Sequence, residues 1–379
     1  MKKLKPVFFI FFAALLLRLI FLFPQYSGDV KNHLVWANSF LQYPVGFYSR
    51  HFPGFNDANY PSLTIYFFAI SRFIYLSVTS LFSYLNHLLP VFPSFFVPLF
   101  EHENMQLGFM KLPAIFADLG IGIFLLKIFQ KLKYRKPLLI TILFLFNPAI
   151  LYVSSVWGQI ESLTTFFLIV SLYCAYFAQR KHFYLSIFFF AFAALTKQTA
   201  LWFTPFYIFL WYKELNPKDW LEGIISSLTL FVFSYLPFGL NPLSAAANYL
   251  STLSGSSDYV SDAAYNFWWF FYPTPTSDSV RLGIFTIRQI SIALLITILL
   301  ITLIYLRNKY SKKNFFMALF LWSLAVFFLQ TRVHERHLAP ALVFGLLSFS
   351  ANPYWWLSYF TLSTYHFLNL FLTLKIPFI

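Results

Sequence analysis

The sequence predicts an all-α, polytopic membrane protein, and three observations carry that prediction. Phenylalanine alone supplies 53 of the 379 residues, charged residues are 11% and mean hydropathy is +0.67. No single soluble core would bury that much apolar surface. The apolar runs are long enough to span hydrocarbon, where a backbone satisfies its own polar groups as helix. Finally, the excess of basic residues, +14 in formal charge, is confined to short breaks between the runs.

Those breaks are MKKLK at the start, KIFQKLKYRK (Lys127 to Lys136), QRKH (Gln179 to His182), YKELNPKDW (Tyr212 to Trp220) and RNKYSKK (Arg307 to Lys313). They do not gather on one folded domain, so the basic balance does not point to nucleic acid as a partner. The intervening runs can place all of them on one side, and the positive-inside rule makes that side cytoplasmic. Cys174, the single cysteine, excludes an intrachain disulfide framework and a Cys-rich metal site.

Taken in order, Pro6 to Phe23 is a first span of roughly 18 residues, about 27 Å of helix. No small-x-small cleavage site follows it, so it reads as a retained span, not a signal peptide. A long first outer loop, 24–60, comes next. Within it Val30, Leu34, Ala37 and Leu41 form an apolar stripe on a helix expected to lie along the outer membrane surface, and Pro44 to Pro61 is irregular. For Tyr60 to Phe100, parity requires either two crossings or a re-entrant hairpin turning near Tyr84 to Leu89. The total is then roughly 11–13 membrane segments in a single membrane domain, 1–379, with no soluble catalytic domain and no repeat. The other outer stretches are Trp157 to Ser162, the aromatic loop 241–281 and Thr331 to His337.

Seven of the 13 carboxylates fall in those outer stretches. Asp29, in SGDVKNHLVW, has a plain reading as a helix N-cap. The helix dipole at such a position favours the ionised carboxylate, which suits a proton acceptor as well. TRVHERH holds Arg332, His334, Glu335, Arg336 and His337. Snorkelling anchors are the alternative there, but anchoring needs no glutamate and no histidine pair. The cluster crowds the outer end of an apolar helix, where Arg332 and Arg336, i and i+4, can face the same way and suit a phosphate or pyrophosphate. With no second ligand cluster, no metal is expected.

VWGQIES offers Trp157 at belt depth, a turn at Gly158, and Gln159 and Glu161 for hydroxyls, or else a plain aromatic-belt turn. ALTKQTALW puts Lys197 and Gln198 near a helix end. Arg18 and Asp118 lie within apolar runs, where ionisable groups are functional by default or pair with one another. Acids, bases, amides and aromatics thus converge on one surface. A lipid-linked substrate with a charged head and an apolar tail suits that geometry.

Several stretches in order carry a resemblance: SGDVKNHLVW, NYPSLTIY (Asn59 to Tyr66), the helix around FADLG, FNPAILYVSSVWGQIES, LTKQTALWFTP, YNFWW (Tyr265 to Trp269) and TRVHERHLAPAL. With them the chain resembles the GT-C superfamily of membrane glycosyltransferases, particularly bacterial proteins similar to the second mannosyltransferase of GPI-anchor synthesis. More distantly it is similar to the dolichyl-phosphate-glucose glucosyltransferases. The resemblance implies inverting, metal-independent and cofactor-free transfer of a hexose, mannose or glucose, from a polyprenyl-phosphate sugar to a lipid-linked or glycan acceptor. The active site would be extracytoplasmic, in an integral multi-pass protein surrounded by membrane lipids. Asp29 falls on the proposed catalytic base. Arg332, His334, Arg336, Lys197 and Arg18 would contact the donor phosphate; Glu335, Gln159, Glu161, Trp157, Tyr60 and Gln198 would contact sugar or acceptor. Pro61-Ser62 replaces the family's tandem proline, and Glu161 replaces the usual aspartate of its GQxDS turn.

A transporter or flippase of lipid-linked saccharides is the rival reading. It should show related halves and polar groups near mid-membrane, neither of which the sequence offers. A saccharide polymerase or ligase using polyprenyl pyrophosphates is a further enzyme alternative.

Overall fold

The first apolar run forms α1 (Leu4–Ile20), in a computed structural model that describes residues 4–24, 27–254, 257–272, 275–349 and 354–374. Lys2 and Lys3 of the N-terminal basic cluster lie outside the described residues. α2 (Asp29–Gln42) follows, as expected, but it buries Val30, His33, Trp36 and Ala37. Leu34 is half-buried and Leu41 exposed, so the buried face is rotated from the predicted stripe. The reason is packing on α3 (Ser62–Leu88): His33 stacks on Phe68 at 4.1 Å, and aromatic area outweighs one leucine.

α3 is the outgoing arm of a hairpin. The chain turns after Leu88 and comes back in two short pieces, α4 (Phe96–Glu101) and α5 (Glu103–Phe109), before α6 (Leu112–Lys131). Tyr75 Oη donates to the Phe100 carbonyl at 2.7 Å, and Phe82 meets the rings of Phe92, Phe96 and Phe100. The backbone of this region is thus a helical hairpin with a broken return arm, its turn falling at 89–95, just past the expected Tyr84 to Leu89.

α7 (Pro137–Leu145) and α8 (Pro148–Leu151) are bent by 43° at a break. Pro148 has no N–H to continue the ladder, and the Asn147 side chain accepts from Ala149 and Ile150 instead. A π-helical segment, Tyr152–Trp157, leads into the turn at Gly158. α9 (Glu161–Phe177) and α10 (Leu185–Thr196) pack side by side at the centre, beside α6. α11 (Thr204–Glu214), α12 (Pro217–Tyr235), α13 (Pro242–Ser251) and the short α14 (Phe267–Phe271) follow. A β-hairpin of Arg281–Leu282 with Phe285–Thr286 is the only named strand pair among the described residues. α15 (Ile287–Asn308), α16 (Lys312–Leu329), α17 (Ala339–Phe349) and α18 (Trp355–Leu374) complete the bundle.

Among the described residues, five helices are long and apolar enough to cross a membrane, or six with the bent α7–α8 pair. This is fewer unbroken spans than the roughly 11–13 apolar segments of the sequence. The other runs are helical but shorter: α1 and α9 have 17 residues each, α10 has 12 and α11 has 11. Lys197 ends α10, and the Thr204-Pro205 step begins α11.

Three of the five basic breaks, those at 179–182, 212–220 and 307–313, meet at one end of the bundle. Arg180 pairs with Asp219 at 2.8 Å, Tyr310 Oη donates to Glu214 at 2.6 Å, and Tyr310 meets Tyr176 at 3.0 Å. At the opposite end, Lys111 ties the start of α6 to the end of α1 through the Phe21 and Pro24 carbonyls, at 2.8 and 2.9 Å. Asp29 enters there.

Candidate active site

Asp29 is the first residue of α2, and Gly28 occupies the cap position without a side-chain bond. The N-cap reading of Asp29 therefore does not hold. Its carboxylate is turned to the VWGQIES turn: Oδ2 accepts from Trp157 Nε1 at 3.1 Å and from the Gln159 side-chain amide. Oδ1 takes no hydrogen bond among the described residues, and the side chain is half-buried. Gly158 makes this approach possible. Its φ is +83°, and a Cβ there would lie 2.6 Å from Val30 Cγ2 and 3.1 Å from Lys111 Cγ.

Next to this carboxylate lies a buried ionic network. Glu161 Oε1 binds Lys197 Nζ and pairs with Arg336 Nε at 3.3 Å, and Arg336 Nη1 donates to Glu335 at 2.8 Å. The network joins the start of α9, the end of α10 and the connection between α16 and α17. Burial pushes the Glu335 carboxyl up from its ordinary value. Burial works against the Arg336 guanidinium, but the Glu335 and Glu161 carboxylates outweigh it and hold the cation above its usual range. Burial, helped by Arg336 and Lys197, holds the His334 imidazole well below its ordinary value, hence neutral. His337 is likewise held down by burial, and its Nδ1 accepts from the His334 N–H at 3.1 Å.

A cleft of about 630 Å³ opens beside the network. Tyr60, Lys197, Gln198, Arg332, His334 and Arg336 line it, all residues the sequence singled out. Asp29 does not lie on its wall; it adjoins it, within electrostatic reach of Arg336 and Asp262. Lys197 Nζ stands 5.5 Å from the Tyr60 ring centre. Gln198 spans two loops, donating to the Asn59 carbonyl at 2.8 Å and the Thr252 carbonyl at 3.3 Å.

Two expectations need correction. Arg332 and Arg336 share the cleft without sharing a helix face: Arg332 has φ of +63°, and Glu335–Leu338 is a 3-10 turn. Arg332 is held by Asp278, at 2.8 Å to Oδ2 and 3.1 Å to Oδ1. Arg18 does not reach the cleft. It is fully buried, bonds to Asp118 at 2.9 Å and to the Leu145 carbonyl at 2.9 Å, and the same Asp118 oxygen accepts from Ser154 at 2.6 Å. This pair orders the π-helical segment beneath the Trp157 turn.

The sequence reading missed His33, Asp262 and Arg288. His33 was findable, one helical turn after Asp29 on the same face. Its ring is buried, and burial pulls its pKa down to about 4. Asp262 is carried in by the aromatic loop, its N–H bonded to the Val333 carbonyl at 3.0 Å and its carboxylate 3.5 Å from His334 Nδ1. Burial pushes that carboxyl up.

Residues 112–331, more than half of the chain, match the profile of glycosyltransferase family 87. The chain belongs to glycosyltransferase family 87. No curated protein matches it. The matched region of this family 87 member contains the Trp157 turn, Glu161, Lys197, Asp262, Asp278 and Arg288. Asp29, Tyr60 and Arg336 lie outside it, and join the site through the contacts above. Family membership makes the protein a glycosyltransferase with membrane helices, which favours the transferase reading over the flippase.

Proposed function

We propose that this family 87 glycosyltransferase moves a hexose, mannose or glucose, from a polyprenyl-phosphate sugar to a lipid-linked or glycan acceptor on the extracytoplasmic side. The narrower likeness to GPI mannosyltransferase II-type proteins belongs to the same proposal. One observation carries it: Asp29 is fixed through one carboxylate oxygen while the other stays open beside a cation-lined cleft. The meeting of three basic breaks at the far end of the bundle supports the sidedness.

In this mechanism Asp29 Oδ1 takes the proton of the acceptor hydroxyl. The acceptor oxygen bonds to the anomeric carbon as the bond from that carbon to the phosphate oxygen breaks. A single in-line displacement inverts the centre, and polyprenyl phosphate leaves with the electron pair. A phosphate is a good leaving group, so cations suffice where a hydrolase needs a carboxylic acid. Lys197, Arg332 and Arg336 supply positive charge at the cleft, and neutral His334 supplies a hydrogen bond. Trp157 and Gln159 act by aiming Asp29, while Tyr60, Glu161, Gln198 and Glu335 hold the pocket in shape around sugar and acceptor.

The test is an assay of the purified protein with polyprenyl-phosphate mannose or glucose and lipid-linked acceptors. Sugar transfer at a rate lost in Asp29→Asn protein is expected. Full turnover by Asp29→Asn protein would sink the base assignment.

A further inference from the structure

The cations of the cleft are not equivalent. Lys197 and Arg336 are balanced by Glu161 and Glu335, and Arg332 by Asp278. Arg288 lines the same cleft, yet its guanidinium makes no hydrogen bond or ion pair among the described residues; only its backbone N–H is engaged, at 3.0 Å to the Asp278 carbonyl. Arg288 is exposed, so water meets its charge; its place on the cleft wall is what makes the uncommitted guanidinium a fork-shaped seat for a phosphate.

Arg288, Ser291, Ile292 and Leu295 of α15 all line the cleft, an i, i+3, i+4, i+7 pattern that puts them on one face. Ser291 Oγ is already committed to the Leu329 carbonyl at 2.7 Å, so the wall turns apolar within one turn of Arg288. From Arg288 to Leu295 it runs about 10 Å along the axis. α15 is also the least enclosed of the candidate spans, with 11% of its apolar window buried. Charge at the mouth, apolar wall below and an open flank beyond match an amphiphile whose head is anionic and whose tail is hydrocarbon.

We propose that Arg288 binds the phosphate of the lipid donor and that Ile292 and Leu295 hold the first part of its prenyl chain, which enters sideways past α15. This rests on the polyprenyl-phosphate reading above.

The experiment measures binding of undecaprenyl phosphate, without sugar, and of neutral undecaprenol to the detergent-purified full-length protein. Wild type is compared with Arg288→Gln, Arg288→Lys and Ile292→Glu, each checked for an unchanged thermal unfolding midpoint. Arg288→Gln should weaken the phosphate lipid about tenfold or more, as expected for loss of a charge-assisted hydrogen bond. It should leave the alcohol unchanged, and Arg288→Lys should recover only part of the affinity, since an ammonium keeps the charge without the fork. Ile292→Glu should weaken both lipids. If wild type binds undecaprenyl phosphate and Arg288→Gln and Ile292→Glu bind it equally well, the inference is overturned while the donor reading stands. If wild type does not bind it, the donor reading fails and takes this inference with it.

Discussion

Gln159 donates its side-chain amide to the Asp29 carboxylate across 130 residues of chain, on the same oxygen that accepts from Trp157. The two donors fix the rotamer and leave one oxygen free. Gln159→Leu should therefore lower kcat about 10- to 100-fold by misaiming the base, with a smaller change in KM. Initial rates over a range of donor concentration check this; an equal kcat would show that Asp29 needs no aiming.

Asp29→Asn removes the proton acceptor and keeps the shape. Turnover should drop by about 10²-fold or more, with the unfolding midpoint little changed. Asp29→Glu should recover only a fraction, because the longer side chain leaves the Trp157 and Gln159 donors out of register.

Glu161 balances two buried cations, Lys197 and Arg336. Glu161→Gln should destabilise the protein by about 3–5 kcal/mol, since it strands buried charge. Adding Lys197→Met should restore part of that loss, and thermal unfolding of both single variants and the double variant measures the coupling.

Gly158 sits at φ of +83° with Val30 Cγ2 2.6 Å from where a Cβ would stand. Gly158→Ala should cost about 1–3 kcal/mol and reduce activity, because it pushes the turn away from Asp29. Val30→Ala in the same protein should relieve the contact but not the backbone cost, giving partial rescue of both stability and rate.

His33 is buried with its pKa lowered from 6.5 to about 4. Between those values the unfolded chain binds the proton that the folded ring excludes. Stability contributed by keeping His33 neutral is thus present above pH 6.5 and lost as pH falls toward 4, by about 3 kcal/mol in all. Unfolding midpoints should fall across that window in wild type, and less in His33→Phe protein.

The site was legible where charge stands out against an apolar background. Asp29, Glu161, Lys197 and Arg336 are conspicuous because an ionisable group beside long apolar runs is costly without a purpose. Arg18 and Asp118 were equally conspicuous, and only contact distances show them bonded to each other. Asp262 and Asp278 were not legible, because in a polar loop a charge looks like any solvated residue; Arg288, in the first turn of α15, looks like an ordinary interfacial anchor. The spacing of Arg332 and Arg336 pointed to the right cleft for the wrong reason, since a helical period was assumed where the backbone takes a left-handed step.

What the sequence by itself determined was the membrane class, the helical architecture and the grouping of basic breaks away from the acidic loops. These follow from run length, composition and charge order, quantities that exist along one dimension. The tertiary structure decided which ion meets which. Glu161 finds Lys197 and Arg336, Arg332 finds Asp278, and Asp29 finds Gln159, because helix packing in three dimensions brings distant turns within a few ångströms. Burial then makes each partnership compulsory, since a charge removed from water must be met by another group.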